Sequence, residues 1–183
     1  MNRSGTIPII GVAGWKKSGK TTLVTRLIAE LTGRGLKVAT VKHAHHEFQI
    51  DDADTDSARH RRAGAGQVAI VSVKRWAVVS ELRGAPEPSL DEVIARLQPC
   101  DLIIVEGYKS APIAKIETRR RAAVRSTALA DTDPRVVAIA ADYPVEGCGV
   151  PTFSLDDVAG IADFIIKATG ATVSGPAAAM PGK

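Results

Sequence analysis

The most informative segment of this chain is residues 8–23, which read P-I-I-G-V-A-G-W-K-K-S-G-K-T-T-L. The segment begins as an apolar run, Pro8–Ala13, and passes directly into a turn that contains glycine. From Gly14 to Thr21 it fits the pattern G-x-x-x-x-G-K-[ST] at every fixed position. The pattern requires a strand before it and a helix after it. Both are predicted here, which indicates a phosphate-binding loop.

Each fixed residue of this loop has a chemical reason. The glycines allow successive backbone N–H groups to point at one anion, and the following helix adds its positive N-terminal dipole. Lys20 is expected to reach the β- and γ-phosphates of a nucleotide, and the Thr21 hydroxyl is expected to bind Mg²⁺. The candidate nucleotide-binding residues of the loop are Gly14, Trp15, Lys16, Lys17, Ser18, Gly19, Lys20, Thr21 and Thr22.

The pattern around the loop predicts a parallel sheet. Apolar residues recur on one face of Gly19–Arg34, which predicts a helix, and Lys37–Lys42 follows as a strand, so a strand–helix–strand unit is complete. The other predicted helices are 57–63, 90–97 and 155–169, the last capped by Ser154, and the other strands are 67–73, 76–82, 102–105, 113–118 and 136–140. We predict an α/β fold: a doubly wound, mostly parallel sheet with helices on both faces, as in P-loop NTPases.

Composition sets further limits on the class of protein. Residues 1–170 are expected to form a single nucleotide-binding domain, and the small, polar residues 171–183 a disordered tail. The net charge of +4 suits an anionic ligand, but no basic stripe interleaved with aromatic residues predicts nucleic-acid binding. No segment approaches the roughly 20 apolar residues of a membrane span. Two distant cysteines do not indicate a disulfide framework, so a cytoplasmic protein is predicted.

Carboxylates at two strand ends are candidates for metal and base recognition. Glu106 follows the apolar strand 102–105 and is the candidate catalytic residue, since it could hold a magnesium-bound water or orient a nucleophilic water. Asp101 precedes that strand and is the weaker candidate. Asp142 could accept the N1–H and N2–H of guanine, or form an ordinary turn before Pro144. These residues leave the choice between GTP and ATP open.

All four histidines of the chain lie within residues 43–60, interspersed with aspartates. In a doubly wound fold this segment follows the second strand and lies beside the phosphate loop. Three interpretations stay open: a second substrate or partner site, a metal site, or a plain polar loop. The candidate residues for a second ligand or partner are Lys42, His43, His45, His46, Asp56 and Arg59.

Taken together, these motifs resemble the MobB family, the molybdopterin-guanine dinucleotide biosynthesis protein B proteins. The resemblance runs over about Pro8–Asp142. It rests on the blocks G-W-K-K-S-G-K-T-T-L (14–23), V-K-H-A-H-H (41–46), D-S (56–57), R-H (59–60), A-G-A (63–65), V-E-G-Y-K (105–109) and K-I-E (115–117). The chain departs from the family at residues 52–55, D-A-D-T, where a Pro-Gly turn is usual.

The resemblance implies a GTP-binding accessory protein of molybdenum cofactor maturation. It would assist MobA, a nucleotidyltransferase that attaches GMP to molybdopterin, and would act as a homodimer that is at most a slow GTPase. GTP and Mg²⁺ would occupy the phosphate loop, with Mg²⁺ on Thr21 and Glu106. His45, Asp56 and Lys109 would face the second ligand, such as molybdopterin, or the partner. The alternatives are a metallochaperone GTPase that uses the segment His43–His60, and a small P-loop kinase with Arg119–Arg125 as its lid.

Overall fold

The computed structural model describes residues 7–44, 54–123 and 127–174. These form two compact units, one from the described residues up to 43 together with those from 94 onward, the other from residues 44 to 93. In chain order the elements are β1 (Ile9–Ala13), α1 (Lys20–Gly33), β2 (Val38–Lys42), α2 (Asp56–Arg62), β3 (Gln67–Val71), β4 (Trp76–Ser80), α3 (Leu90–Ile94), β5 (Leu102–Glu106), β6 (Lys115–Arg119), β7 (Val136–Ala141), β8 (Thr152–Ser154) and α4 (Val158–Thr169).

The first unit is built on a six-stranded parallel sheet with the order β2-β5-β1-β6-β7-β8. Its strands β1 and β5 are almost wholly buried because they lie in the middle of the sheet. The register pairs Glu106 with Val12 on one side and with Lys42 on the other. This pairing places the Glu106 end of β5 next to the phosphate loop, which begins immediately after β1.

One face of this sheet is covered by α1 and α4. Leu23, Leu27 and Leu31 recur at intervals of four along α1 and are essentially inaccessible to solvent. They share one apolar cluster with residues of β1, β5 and α4. The amphipathic pattern of α1 therefore positions the helix, and with it the loop that precedes it, against the centre of the sheet.

The predicted fold class, a mostly parallel sheet with helices of the P-loop NTPase type, is confirmed. Over β7, a separate apolar cluster joins Val136 and Ile139 to residues of non-strand segments, such as Leu129 and Val150. The charged side chains of Lys115 and Glu117 in β6 are also buried. Loop segments therefore contribute to the packing around β6 and β7.

The second unit contains α2 and an antiparallel hairpin. Strands β3 and β4 pair from Gln67 opposite Ser80 to Val71 opposite Trp76. Arg61 of α2 forms an ion pair of 2.9 Å with Glu81, just after β4. The sequence predicts both strands and the helix, although the strands are shorter than the apolar runs that indicate them.

Near the C-terminus the structure corrects several element boundaries. The last helix is capped by the side chain of Asp157, which accepts a hydrogen bond from the Gly160 amide, and not by Ser154. Ser154 instead ends the short strand β8, which the sequence does not predict. Ala171 is buried, and Ser174 hydrogen-bonds Asp101, so residues 171–174 of the predicted tail are packed. Residues 175–183 lie outside the described part of the chain.

Two expectations about the whole chain stay predictions. The single domain over residues 1–170 is one, and the cytoplasmic location is the other. None of the helices in the described ranges combines the length and apolar character that a membrane crossing requires.

Candidate functional site

The turn between β1 and α1 has the backbone conformation of an anion-binding loop. Gly14, Lys17 and Gly19 have φ angles of 155°, 66° and 93°. A Cβ on Gly14 would lie 2.5 Å from the hydroxyl oxygens of Ser18 and Thr118, so no larger residue fits there. Because residues of opposite backbone handedness are interspersed, successive N–H groups can turn towards a common point.

Strand β6 holds this loop in place. The buried hydroxyls of Ser18 and Thr118 form a hydrogen bond of 2.7 Å, and the Thr118 hydroxyl donates to the carbonyl of Ala13. The loop is therefore fixed to the neighbouring strand by contacts within the protein, and such preorganisation lowers the entropic cost of binding. Sequence reasoning places Ser18 in the loop but does not identify Thr118, which lies one hundred residues away.

Lys20 is folded back on the loop that it belongs to. Its ammonium donates to the carbonyl of Trp15 at 2.8 Å and to that of Gly14 at 3.1 Å. Burial lowers the pKa of Lys20 below the ordinary value of lysine; the charge of Glu106 opposes this shift, and Lys109 and Lys42 add to it. An anion held in the loop would relieve the repulsion among these lysines, so the loop is electrostatically suited to phosphate.

Thr21 and Glu106 meet where the sequence predicts a magnesium site. The Thr21 hydroxyl donates to Glu106 Oε1 at 2.6 Å, and the Lys42 ammonium lies 3.7 Å from the same oxygen. The Glu106 side chain is only 10% exposed. Hydroxyl and carboxylate oxygens are ligands that Mg²⁺ accepts, so the pair fits the metal chemically. Asp101 lies at the other end of β5 and accepts a hydrogen bond from the Lys37 amide, so it is remote from the loop.

The aromatic and basic residues around the loop are also engaged. Trp15 donates its indole N–H to the Thr127 carbonyl at 2.6 Å, and the Lys109 ammonium lies 4.0 Å from the centre of the Trp15 ring. His43 packs on Tyr108, with ring centres 4.8 Å apart. Lys109 and His43, both proposed for a second ligand, thus lie within the same unit as the phosphate loop. Lys16, Lys17 and Thr22 are exposed on the loop and on the first turn of α1.

The remaining candidates for a second ligand divide between the two units. Asp56 and Arg59 lie on α2 of the second unit and form an ion pair of 3.5 Å with each other. His45 and His46 lie outside the described residues. Within the described ranges no three His, Cys, Asp or Glu side chains form a cluster that could hold a metal ion. The metal interpretation of the His43–His60 segment therefore stays a prediction.

A cavity of about 270 Å³ opens beside the loop. Its walls include Trp15 and Ser18 from the loop, Thr118 from β6, and Tyr143 after β7. The arginines Arg119–Arg121, which follow β6 as part of the candidate kinase lid, line it as well. Asp142, the predicted base-binding carboxylate, is exposed and accepts a hydrogen bond of 3.0 Å from the Arg121 amide. Its role in base recognition stays a prediction, and the sequence did not single out Tyr143.

A buried ion pair supports the chain behind the site. The Lys115 side chain is 1% exposed, and its ammonium lies 2.7 Å from Asp133 Oδ2. It also donates to the carbonyls of Lys109 and Ala111, which belong to the segment that follows Glu106. Lys115 therefore fixes the backbone that carries Lys109. The sequence resemblance includes residues 115–117 without indicating this role.

The sequence and the fold are similar to those of known proteins. The family model for molybdopterin guanine dinucleotide synthesis protein B (MobB) matches residues 9–142. Two similar proteins are named molybdopterin-guanine dinucleotide biosynthesis adapter protein. The protein from Escherichia coli K12 is 37% identical over 88% of this chain and 93% of its own length. The protein from Haemophilus influenzae is 38% identical over 87% of this chain and 88% of its own length.

Solved structures agree as well. The crystal structure of a molybdopterin-guanine biosynthesis protein B is 30% identical and superposes with a TM-score of 0.67, covering 87% of this chain and 99% of the other. A MobB homologue from Bacillus stearothermophilus is 26% identical with a TM-score of 0.62, covering 88% and 97%. The family model spans most of the chain and the relatives match over nearly their whole length, so this chain belongs to the MobB family.

Proposed function

We propose that this chain is a GTP-binding adapter in the biosynthesis of molybdopterin-guanine dinucleotide. Its relatives in Escherichia coli and Haemophilus influenzae are named adapter proteins of this pathway, and an adapter acts with a partner there. The partner is a MobA-type guanylyltransferase that attaches GMP to molybdopterin. The chain binds GTP, assists that transfer, and is at most a slow GTPase.

The observation that carries the nucleotide part of this proposal is the hydrogen bond between Thr21 and Glu106. It joins the last residue of the phosphate loop to the carboxylate at the end of the neighbouring strand, at 2.6 Å. When Mg²⁺ is bound, these two side chains would hold it, directly or through water, and the ion would neutralise phosphate charge. Lys20 would exchange its two carbonyl partners for phosphate oxygens, gaining charge-assisted hydrogen bonds.

Glu106 also supports weak hydrolysis rather than efficient hydrolysis. A carboxylate at this position can orient a water, but it is tied to Thr21 and lies near Lys42. Its Oε1 oxygen is thus already engaged in holding the site together. Molybdopterin as a second ligand, and His43 and Lys109 as residues that face it or the partner, belong to the same proposal.

The experiment that tests the function combines binding with a reconstituted assay. Calorimetric titration of the purified protein with Mg-GTP, and separately with Mg-ATP, should give a clear preference for GTP. Adding the protein to a MobA-type guanylyltransferase with molybdopterin and Mg-GTP should then increase formation of the dinucleotide. Preferential binding of ATP, or an unchanged yield over a range of protein concentrations, would contradict the adapter proposal.

A homodimer is the second part of the proposal, and the hairpin β3–β4 supports it. Val71, Val73 and Trp76 are 76%, 103% and 59% exposed, and other large apolar side chains nearby are exposed as well. A two-stranded hairpin is only marginally stable by itself, and exposed apolar surface of this kind marks interaction sites. We therefore place the dimer interface on this hairpin.

Replacing Val71 with lysine is expected to dissociate the dimer. An ammonium group placed in an apolar interface without a partner costs about 3 kcal/mol, on the order of a hundredfold in the dissociation constant. Sedimentation equilibrium over a range of concentrations measures this shift. Ala168→Lys, which adds the same charge to the exposed last turn of α4, is the matched control and should leave the dimer intact. A monomeric wild type, or a dimer equally stable in Val71→Lys, would contradict the assignment.

A further inference from the structure

The cavity beside the phosphate loop lies on the side of β1 away from the magnesium ligands. In the sheet order β2-β5-β1-β6-β7, Glu106 stands at the end of β5, whereas the cavity is lined by residues at the ends of β6 and β7. A triphosphate whose γ end lies by Thr21 and Glu106 extends away from them along the loop. Its nucleoside half would therefore reach the cavity.

The size of the cavity suits one ring system. About 270 Å³ is slightly below the roughly 300–1,000 Å³ of pockets that hold whole drug-sized ligands. The aromatic residues Trp15 and Tyr143 form part of its walls. A nucleobase fits such a space, and aromatic walls favour planar groups over the flexible phosphate chain.

The cavity carries positive charge that the described residues do not neutralise. Glu117 is already engaged by other groups, since its oxygens accept hydrogen bonds from Arg119 and from the amides of Leu129 and Ala130. Arg120 and Arg121 are exposed, and within the described ranges neither guanidinium forms an ion pair with a carboxylate. The two guanidinium groups are therefore available to a ligand.

The two arginines occupy different places. The Arg120 side chain lies over Gly19: a Cβ added to Gly19 would be only 3.1 Å from Arg120 Nε. Arg120 is therefore at the start of α1, where the α-phosphate of a nucleotide lies in the loop. The Arg121 guanidinium lies 5.2 Å from the centre of the Tyr143 ring, and the Arg121 amide is hydrogen-bonded to Asp142. Arg121 is thus presented on the aromatic surface of Tyr143, which also lines the cavity.

The hydrogen-bond donors of a guanidinium group can distinguish guanine from adenine. Guanine presents two neighbouring acceptors, O6 and N7, which a guanidinium contacts with a pair of parallel hydrogen bonds. Adenine presents a donor, its N6 amino group, in the place of O6, so one of these hydrogen bonds is lost and a donor faces a donor. A guanidinium in a nucleobase pocket therefore favours 6-oxopurines.

We propose that Arg121 is a specificity-determining residue that reads the O6/N7 edge of a 6-oxopurine in this cavity, while Arg120 contacts the α-phosphate. The assignment rests on the proposed binding of a nucleotide triphosphate by the phosphate loop. It adds the residue that selects the base.

The test is calorimetric titration of the full chain with the magnesium complexes of GTP, ITP, ATP and 7-deaza-GTP. The wild type should bind GTP and ITP with similar affinity, because both bases present the O6/N7 edge. It should bind 7-deaza-GTP, which lacks N7, and ATP, which lacks O6, more weakly. Arg121→Ala should weaken GTP and ITP about tenfold to a hundredfold and ATP much less, because adenine offers the guanidinium only the N7 acceptor. Arg121→Lys, which keeps the charge but not the paired donors, should lose most of the selectivity. Arg120→Ala should weaken GTP and ATP equally.

Lys167→Ala is the matched control, because it removes one positive charge from the exposed last turn of α4. It should bind every nucleotide as the wild type does. Equal losses for GTP and ATP in Arg121→Ala, or no loss for either, would overturn the assignment of Arg121 while leaving nucleotide binding in place. A wild type that binds neither nucleotide nor inorganic tripolyphosphate would overturn the proposed function together with this inference.

Discussion

Replacing Lys20 with alanine is expected to weaken the binding of Mg-GTP by about 3 kcal/mol, on the order of a hundredfold in the dissociation constant. The ammonium of Lys20 is partly buried against the loop and close to two other lysines and Glu106. It is therefore positioned to transfer to phosphate oxygens, where its hydrogen bonds are charge-assisted. Alanine removes those bonds and leaves the phosphate charge less compensated.

The fold should tolerate this substitution. Among the residues that the structure describes, the Lys20 side chain donates only to carbonyls of its own loop, those of Gly14 and Trp15. Thermal unfolding of Lys20→Ala should thus match that of the wild type, and calorimetry then isolates the binding effect. Lys16→Ala is the matched comparison, since Lys16 is an exposed lysine of the same loop, and it should lose much less affinity. Unchanged affinity in Lys20→Ala would refute the assignment of the phosphate loop.

Replacing Asp133 with alanine is expected to lower the free energy of unfolding by about 3–5 kcal/mol. The reason is the Lys115 ammonium, which is buried in β6 and would lose its carboxylate partner at 2.7 Å. A buried charge that loses its partner keeps its desolvation penalty without the compensating attraction. Urea denaturation of the variant, with the slope of the transition unchanged, measures the loss.

Arg135→Ala is the control for this prediction, because Arg135 contacts the same carboxylate at 2.8 Å but is 45% exposed. An exposed ion pair contributes about 0–1 kcal/mol, so this variant should be nearly as stable as the wild type. The double variant Lys115→Met with Asp133→Leu removes both charges and should be more stable than Asp133→Ala alone. Equal stability of Asp133→Ala and Arg135→Ala would contradict a structural role for the buried pair.

The pH dependence of stability gives a second readout of the same pair. Hydrogen bonds from Lys115 and Arg135 hold the pKa of Asp133 well below its ordinary value, although burial acts in the opposite direction. Since the pKa is lower in the folded protein than in the unfolded chain, the stabilisation is complete above about pH 4 and is lost as the pH falls further. The difference in stability between wild type and Asp133→Asn should therefore shrink in acid.

The region around the phosphate loop could be predicted from sequence nearly residue by residue. No end of the first three predicted elements differs from the structure by more than one residue. The predictions are strand 8–13, helix 19–34 and strand 37–42, and they correspond to β1, α1 and β2. Local patterns suffice there, because the apolar period, the glycines and the buried strands all indicate the same structure. The position of Glu106 beside the loop could also be predicted, since an apolar strand of a parallel sheet ends at the same edge as β1; its roles in catalysis and metal binding stay predictions.

Local patterns gave less information where few residues are buried. Strand β8 has three residues, two of them exposed, so its sequence carries no alternating or apolar signal. Ser154, the predicted N-cap of α4, is instead the last residue of β8, and Asp157 caps the helix. Both residue types are good caps, and only the pairing of β8 with β7 decides between them.

The sequence by itself determined the residue pattern of a phosphate-binding loop, a parallel sheet around it and the motifs of the MobB family, because each is encoded in residues close together in the chain. The tertiary structure decided which distant side chains complete the site: Thr118 against Ser18, Arg120 over Gly19, and Lys115 with Asp133. The physical reason is that these contacts depend on strand order and register, which bring together residues that no local pattern relates.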